Sequence, residues 1–132
     1  MKPLLIPILL AFSLTALAQR PPEAIVQENL DHYNNRNIEG FMQSFPNDIA
    51  LYEFGKCEPS YQGLEAIRNA YQKLFDASPA LHSTIVHRSV VGTKVIDHER
   101  ITGRSGKDEP LELMMVYEVN ETQITKMTVI RK

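Results

Sequence analysis

The chain has 132 residues, 43% of them hydrophobic and 23% charged, with 14 Lys+Arg against 16 Asp+Glu for a net charge of −2. That is one domain's worth of foldable chain, too apolar for a disordered tail. Scattered, balanced charge excludes the clustered basic surface that nucleic-acid binding needs, and the single cysteine, Cys57, excludes an intrachain disulfide framework and a cysteine-based zinc site.

Residues 1–18 read as a secretory signal peptide. Lys2 supplies the positive start, residues 4–18 are almost unbroken apolar sequence, and Ala16-Leu17-Ala18 is a small-x-small cleavage pattern. The apolar stretch, interrupted by Pro7, is shorter than the roughly 20 residues a spanning helix needs. The expected mature chain is one domain, residues 19–132, secreted or periplasmic, with no membrane attachment after cleavage.

Pro21-Pro22-Glu23 opens a first helix, because proline suits the first turn and an acidic residue favours the N-terminal dipole. Val26, Leu30 and Tyr33 form its apolar stripe. Asn37 is a good cap for a second, short helix whose apolar side runs from Ile38 to Phe45. Residues 49–54 read as a strand, and 55–63 as a loop carrying Cys57. Leu64, Ile67, Tyr71, Leu74 and Phe75 define a third helix over 64–77, closed by Pro79. The period then changes from 3.6 to 2. Strands are expected over 81–91, 93–102, 111–119 and 123–131, with Gly92 in the tight first turn. Helices followed by an antiparallel meander make an α+β plan.

Several phrases carry a family likeness: Tyr33-Asn34-Asn35-Arg36-Asn37-Ile38-Glu39-Gly40-Phe41, Phe45-Pro46-Asn47-Asp48-Ile49-Ala50-Leu51-Tyr52-Glu53-Phe54, Tyr61-Gln62-Gly63-Leu64-Glu65-Ala66-Ile67-Arg68, and His87-Arg88-Ser89-Val90-Val91-Gly92 leading to the Asp97-His98-Glu99 strand. In these the mature chain resembles the nuclear transport factor 2-like superfamily, in its SnoaL-like and steroid delta-isomerase-like branch. The resemblance implies a cone-shaped, curved, mostly antiparallel sheet with three N-terminal helices packed over its concave face. It also implies a mostly apolar pocket for a small hydrophobic molecule, and often a homodimer. Since one fold hosts many functions, it leaves two classes open: cofactor-free proton transfer or isomerisation, or a non-catalytic ligand-binding or interaction module.

Carried over by position, the proton-transfer carboxylate of ketosteroid isomerase falls on Glu53, and its two oxyanion-hole donors fall on Asn29 and near Met115. The base position keeps a carboxylate, whereas Met115 cannot donate, so the resemblance does not extend to ketosteroid isomerisation proper. The family register also places Leu113 and Tyr117, two away from Met115, along the pocket, and Tyr33 and Leu51 are expected there with them. Alternation puts Leu51 and Glu53 on one face, and Glu53 is expected there partly buried without a cationic partner, a setting that raises a carboxyl pKa.

The densest ionisable cluster is Asp97-His98-Glu99. Asp97 and Glu99 share one strand face with Val95 and Ile101, and His98 the other with Ile96 and Arg100. His98 is a candidate acid/base partner for Glu53 and, alternatively, a structural ion-pair residue. Both faces being half apolar suits a sheet covered by helices on one side and by a second copy of the chain on the other. His82 and His87, five apart, are expected on opposite faces, and His32 is expected exposed. No metal-ligand spacing, phosphate loop, nucleophile motif or dinucleotide fingerprint is present, so neither metal nor cofactor is expected.

Overall fold

The computed structural model describes residues 1–3 and 19–132, so the expected signal peptide lies, apart from its first three residues, outside the described residues. The first helix, α1 (Pro22–Asn34), starts on its prolines with Glu23 in the first turn and buries Ile25, Val26, Asn29 and Leu30. It stops where Arg36 takes a left-handed φ of 52°. Asn37 caps α2 (Ile38–Met42), its side-chain oxygen accepting from the Gly40 amide at 3.2 Å. This helix is shorter than expected, yet Phe45 beyond it is still buried at 4% exposure. A Cβ at Gly40 would run into the His32 ring and the Asn37 side chain, and His32, expected exposed, is half-buried. The third helix is α3 (Leu64–Ala77).

The strands are β1 (Ala50–Glu53), β2 (Tyr61–Gln62), β3 (His82–Val91), β4 (Lys94–Thr102), β5 (Leu111–Val119) and β6 (Ile124–Arg131). They form one curved, unclosed sheet in the order β2-β1-β6-β5-β4-β3. The meander from β3 to β6 is antiparallel, as expected, but β1 joins it parallel to β6 through Leu51↔Met127 and Glu53↔Val129. The short β2 lies inside the expected loop and pairs with β1 at Leu51↔Tyr61.

Alternation sorts the sheet into two faces. Val95, Asp97, Glu99 and Ile101 of β4, Leu113, Met115 and Tyr117 of β5, and Met127 and Val129 of β6 are all buried on the concave side. Their neighbours Ile96, His98, Val116 and Ile130 are half-buried on the outer side, and Met114 is exposed. A register shift between Ile85 and His87 alters parity along β3. His82 and His87 therefore pair with Thr102 and His98, both outward-facing, and share a face instead of opposing each other.

The helices cover the concave face. Asn34, at the end of α1, clamps β3: its side chain accepts from the Ser83 amide at 2.7 Å and donates to the Ser83 carbonyl at 3.0 Å. Between helices and sheet sits an aromatic cluster. Phe41 lies 4.5 Å from Tyr71 and 5.1 Å from Phe45, centroid to centroid, and Tyr33 packs edge-on against Phe75 at 5.5 Å. Such tilted and edge-to-face pairs each add about 0.5–1.5 kcal/mol beyond area burial. The cluster holds α1, α2 and α3 together and forms one wall of the cavity described next.

Candidate functional site

A cavity of about 140 Å³ lies between the helices and the concave sheet face. Asn29, Tyr33, Leu51, Leu113, Met115 and Tyr117, the residues expected along the pocket, all line it. Tyr71, Glu99, Arg104 and Arg131 line it as well. Tyr61 and Arg131 are its exposed members and mark its mouth.

Glu99 is the buried carboxyl of this wall, only 5% exposed. The Ser83 hydroxyl donates to one of its oxygens at 3.2 Å and the Tyr117 hydroxyl to the other at 3.2 Å. Burial raises its pKa to about 7, with the charge of Asp97 adding to the rise, while the Ser83 and Tyr117 hydrogen bonds and Arg88 oppose it. It therefore titrates near neutrality, where a general base or acid is most effective. Burial likewise raises the pKa of Tyr33, Tyr71 and Tyr117, so the phenols stay un-ionised and serve as donors. Of the tyrosines lining the cavity, Tyr117 alone has its hydroxyl bonded to another side chain among the described residues. No buried side-chain polar atom among them lacks a partner, so the unbonded Tyr33 and Tyr71 hydroxyls, on two residues that line the cavity, are not fully buried.

Asp97, two residues earlier on the same face, is fully buried but outside the cavity wall. Arg88 grips it bidentately, Nε to Oδ1 at 2.6 Å and Nη2 to Oδ2 at 2.8 Å, and donates through Nη1 to Gln27 at 2.9 Å. The Asp97–Arg88 pair is part of the frame that ties β4, β3 and α1 together.

The expected catalytic pair is not assembled. Glu53 has the parity of Leu51, but β1 ends there, and the chain leaves the cover of the helices at Phe54, 69% exposed. Instead of lying buried without a cation, Glu53 accepts from Arg131 Nε at 3.0 Å, with side-chain exposure of 38%. It does not line the cavity. His98 points to the outer face, 3.4 Å from Glu112, and lies opposite His87 and Met114 in register. Two strands and the thickness of the sheet separate it from β1, so it cannot share a proton with Glu53. Asn29 lines the cavity, but its amide donates to the Phe41 carbonyl at 3.0 Å, joining α1 to α2. Met115 is an apolar wall residue. Cys57 is an exposed free thiol. Among the described residues no group of three His, Cys, Asp or Glu side chains could hold a metal ion.

Sequence reasoning passed over Glu99, Tyr71 and Arg104 as site residues. Alternation did put Glu99 on a face with Val95 and Ile101. What the sequence lacked was the partner choice: Arg88 lies opposite Asp97 in register, and Glu99 is left with hydroxyls.

Solved structures share this architecture. An uncharacterized cystatin-fold protein from Novosphingobium aromaticivorans superposes with a TM-score of 0.77 at 20% identity, over 85% of this chain and 99% of that one. An NTF2-like protein of unknown function from Cytophaga hutchinsonii gives 0.70 at 14% identity, over 89% and 95%. A hypothetical protein of ketosteroid isomerase-like fold from Catenulispora acidiphila, solved with trimethylamine, gives 0.67 at 18% identity, over 83% and 85%. No curated protein matches the sequence. The SnoaL-like domain model matches residues 26–127, nearly the whole of the described fold, and the chain belongs to the SnoaL-like domain family.

Proposed function

We propose that the cavity binds a small, mostly apolar molecule and that Glu99, rather than Glu53, moves a proton on it in a cofactor-free proton transfer or isomerisation. The observation that carries this reading is a cavity-lining carboxyl with no cationic hydrogen-bond partner, held by Ser83 and Tyr117 and shifted to about 7 by burial. The Tyr33 and Tyr71 hydroxyls supply donors for a carbonyl oxygen as charge develops on it. Deprotonated Glu99 would take the proton from the carbon beside that carbonyl and return it elsewhere.

The test is hydrogen–deuterium exchange beside the carbonyl of small cyclic ketones in D₂O, followed by proton NMR. Wild-type protein should accelerate exchange, with a rate that rises through about pH 7 as Glu99 ionises. Glu99→Gln should abolish the acceleration, and Glu53→Gln should keep it. Ketone binding without any acceleration would leave the non-catalytic binding module as the function of the same cavity.

Two further parts of the proposal concern the chain's setting. Export follows from the cleavage pattern at 16–18, and mass spectrometry of protein from its native host should find Gln19 at or near the N-terminus. A homodimer through the outer sheet face follows from its half-apolar surface, where Met114 is 39% exposed beside half-buried Ile96, Val116 and Ile130. Light scattering should give twice the mature mass, and a monomer at tens of micromolar would refute it.

A further inference from the structure

We infer that the ligand of this cavity is an anionic amphiphile: an apolar body about the size of one ring, with a carboxylate seated at the mouth on Arg104. This inference rests on the reading of the cavity as a ligand site. Its first support is size, since a cavity of about 140 Å³ matches one that takes a single benzene ring. A larger apolar body would have to leave part of itself outside.

The second support is Arg104 itself. It is half-buried in the loop after β4, it lines the cavity, and its guanidinium has no ion-pair partner among the described residues. By contrast Arg88, Arg68, Arg20 and Arg131 all hold carboxylates. A half-buried arginine without an acidic partner on the wall of a mostly apolar cavity is a ready partner for a planar anion, which a guanidinium binds through paired N–H donors.

The third support is the surface outside. The cavity shares Arg104, Leu113 and Arg131 with an open groove that also carries Arg100, Lys107 and Lys132. Its acidic members are Glu109 and Glu112, and Glu112 already lies 3.4 Å from His98. On a chain whose net charge is −2, a basic excess gathered at one cavity mouth is a local field that draws anions in.

The cavity is also polarised along its length. Glu99, Leu113 and Arg131 stand in one cross-strand row on β4, β5 and β6, so the Glu99 and Arg131 backbones are two strand spacings apart, roughly 10 Å, with Glu99 buried and Arg131 exposed at the mouth. A carboxylate seated at the mouth leaves the apolar body against Leu113 and Met115 of the cavity wall.

The test uses three probes of one shape: 3-phenylpropionate, 3-phenylpropanol and 3-phenylpropylamine, titrated by calorimetry into residues 19–132 at low and high salt. The carboxylate should bind about tenfold more tightly than the alcohol, and the amine more weakly than both. The carboxylate's advantage should shrink with salt. Arg104→Gln should remove that advantage and leave alcohol binding in place, and Arg104→Lys should restore part of it. Equal binding of carboxylate and alcohol, or preference for the amine, would overturn the anionic ligand while leaving the cavity as a binding site. Failure of all three to bind would overturn both readings.

Discussion

The concave face of β4 carries two buried carboxyls, and the two stand in opposite surroundings. At Asp97 the carboxylate is locked to Arg88 through two short hydrogen bonds, and no cavity reaches it. At Glu99 no cation bonds to the carboxyl, its partners are two hydroxyls, and a cavity opens in front of it. Two residues on one face of one strand thus differ in chemistry because of what the neighbouring strand puts beside them. A paired buried charge is frame. A carboxyl held by neutral donors keeps a proton equilibrium within reach of neutral pH. Glu53, with its exposed arginine partner, lies at a third extreme, outside the cavity.

Breaking the Arg88 side should have the largest effect. Arg88→Ala leaves Asp97 buried and uncompensated, and such losses cost roughly 3–5 kcal/mol. Urea unfolding at pH 7 should show this as a lower midpoint, and the double change Arg88→Met with Asp97→Leu should recover most of it. A single-variant loss below about 1 kcal/mol would mean that the pair is not part of the frame.

The Glu99 side should reveal itself through pH. Its folded pKa of about 7 lies above the ordinary 4.5, so between these values the native state binds more protons than the unfolded chain. Stability from this group is then full below about pH 4.5 and lost as pH rises through 7, by roughly 3 kcal/mol at 1.36 kcal/mol per unit. The difference between wild type and Glu99→Gln, measured by thermal unfolding from pH 4 to 8, isolates this contribution, and the variant should gain relative stability as pH rises. A flat difference would mean that Glu99 is solvated.

A smaller change sharpens the contrast. Tyr117→Phe removes a donor that favours the charged form of Glu99, so the carboxyl pKa should move further up, at a stability cost of about 1 kcal/mol. Carbon-13 NMR titration of the Glu99 carboxyl reads this directly, and a downward shift would refute the assigned role of the hydroxyl. The smallest effect belongs to Glu53→Gln, which breaks an ion pair whose side chains are 38% and 43% exposed. Chemical denaturation should register a change within about 1 kcal/mol, weakening with salt. A larger loss would return Glu53 to the centre of the site.

Most of the elements, and the faces of β4 to β6, were legible in the sequence, whereas β2 and the faces of His82 and His87 were not. The apolar stripe of α3, the prolines opening α1, Asn37 as a cap and the period-2 alternation of β4 to β6 are local signals, set by backbone geometry within a few residues. The same alternation put Asp97 and Glu99 together and His98 opposite. Leu51, Leu113, Met115 and Tyr117 fall on one side of the sheet by strand parity, and they line the cavity.

Only the tertiary structure decided which partner each carboxyl meets. Arg88 meets Asp97 through β3–β4 register, itself altered by the shift near Val86 that also put His82 and His87 on one face. Arg131 reaches Glu53 because β1 pairs in parallel with β6, a contact between residues 78 positions apart. Asn29 spends its donor on a carbonyl 12 positions away. Charge partners and desolvation are set by residues distant along the chain, and a pKa depends on both, so no local pattern distinguishes an ion-paired buried carboxylate from one left with neutral donors. Parity tells which side of the sheet a side chain takes, and long-range pairing decides what it meets there.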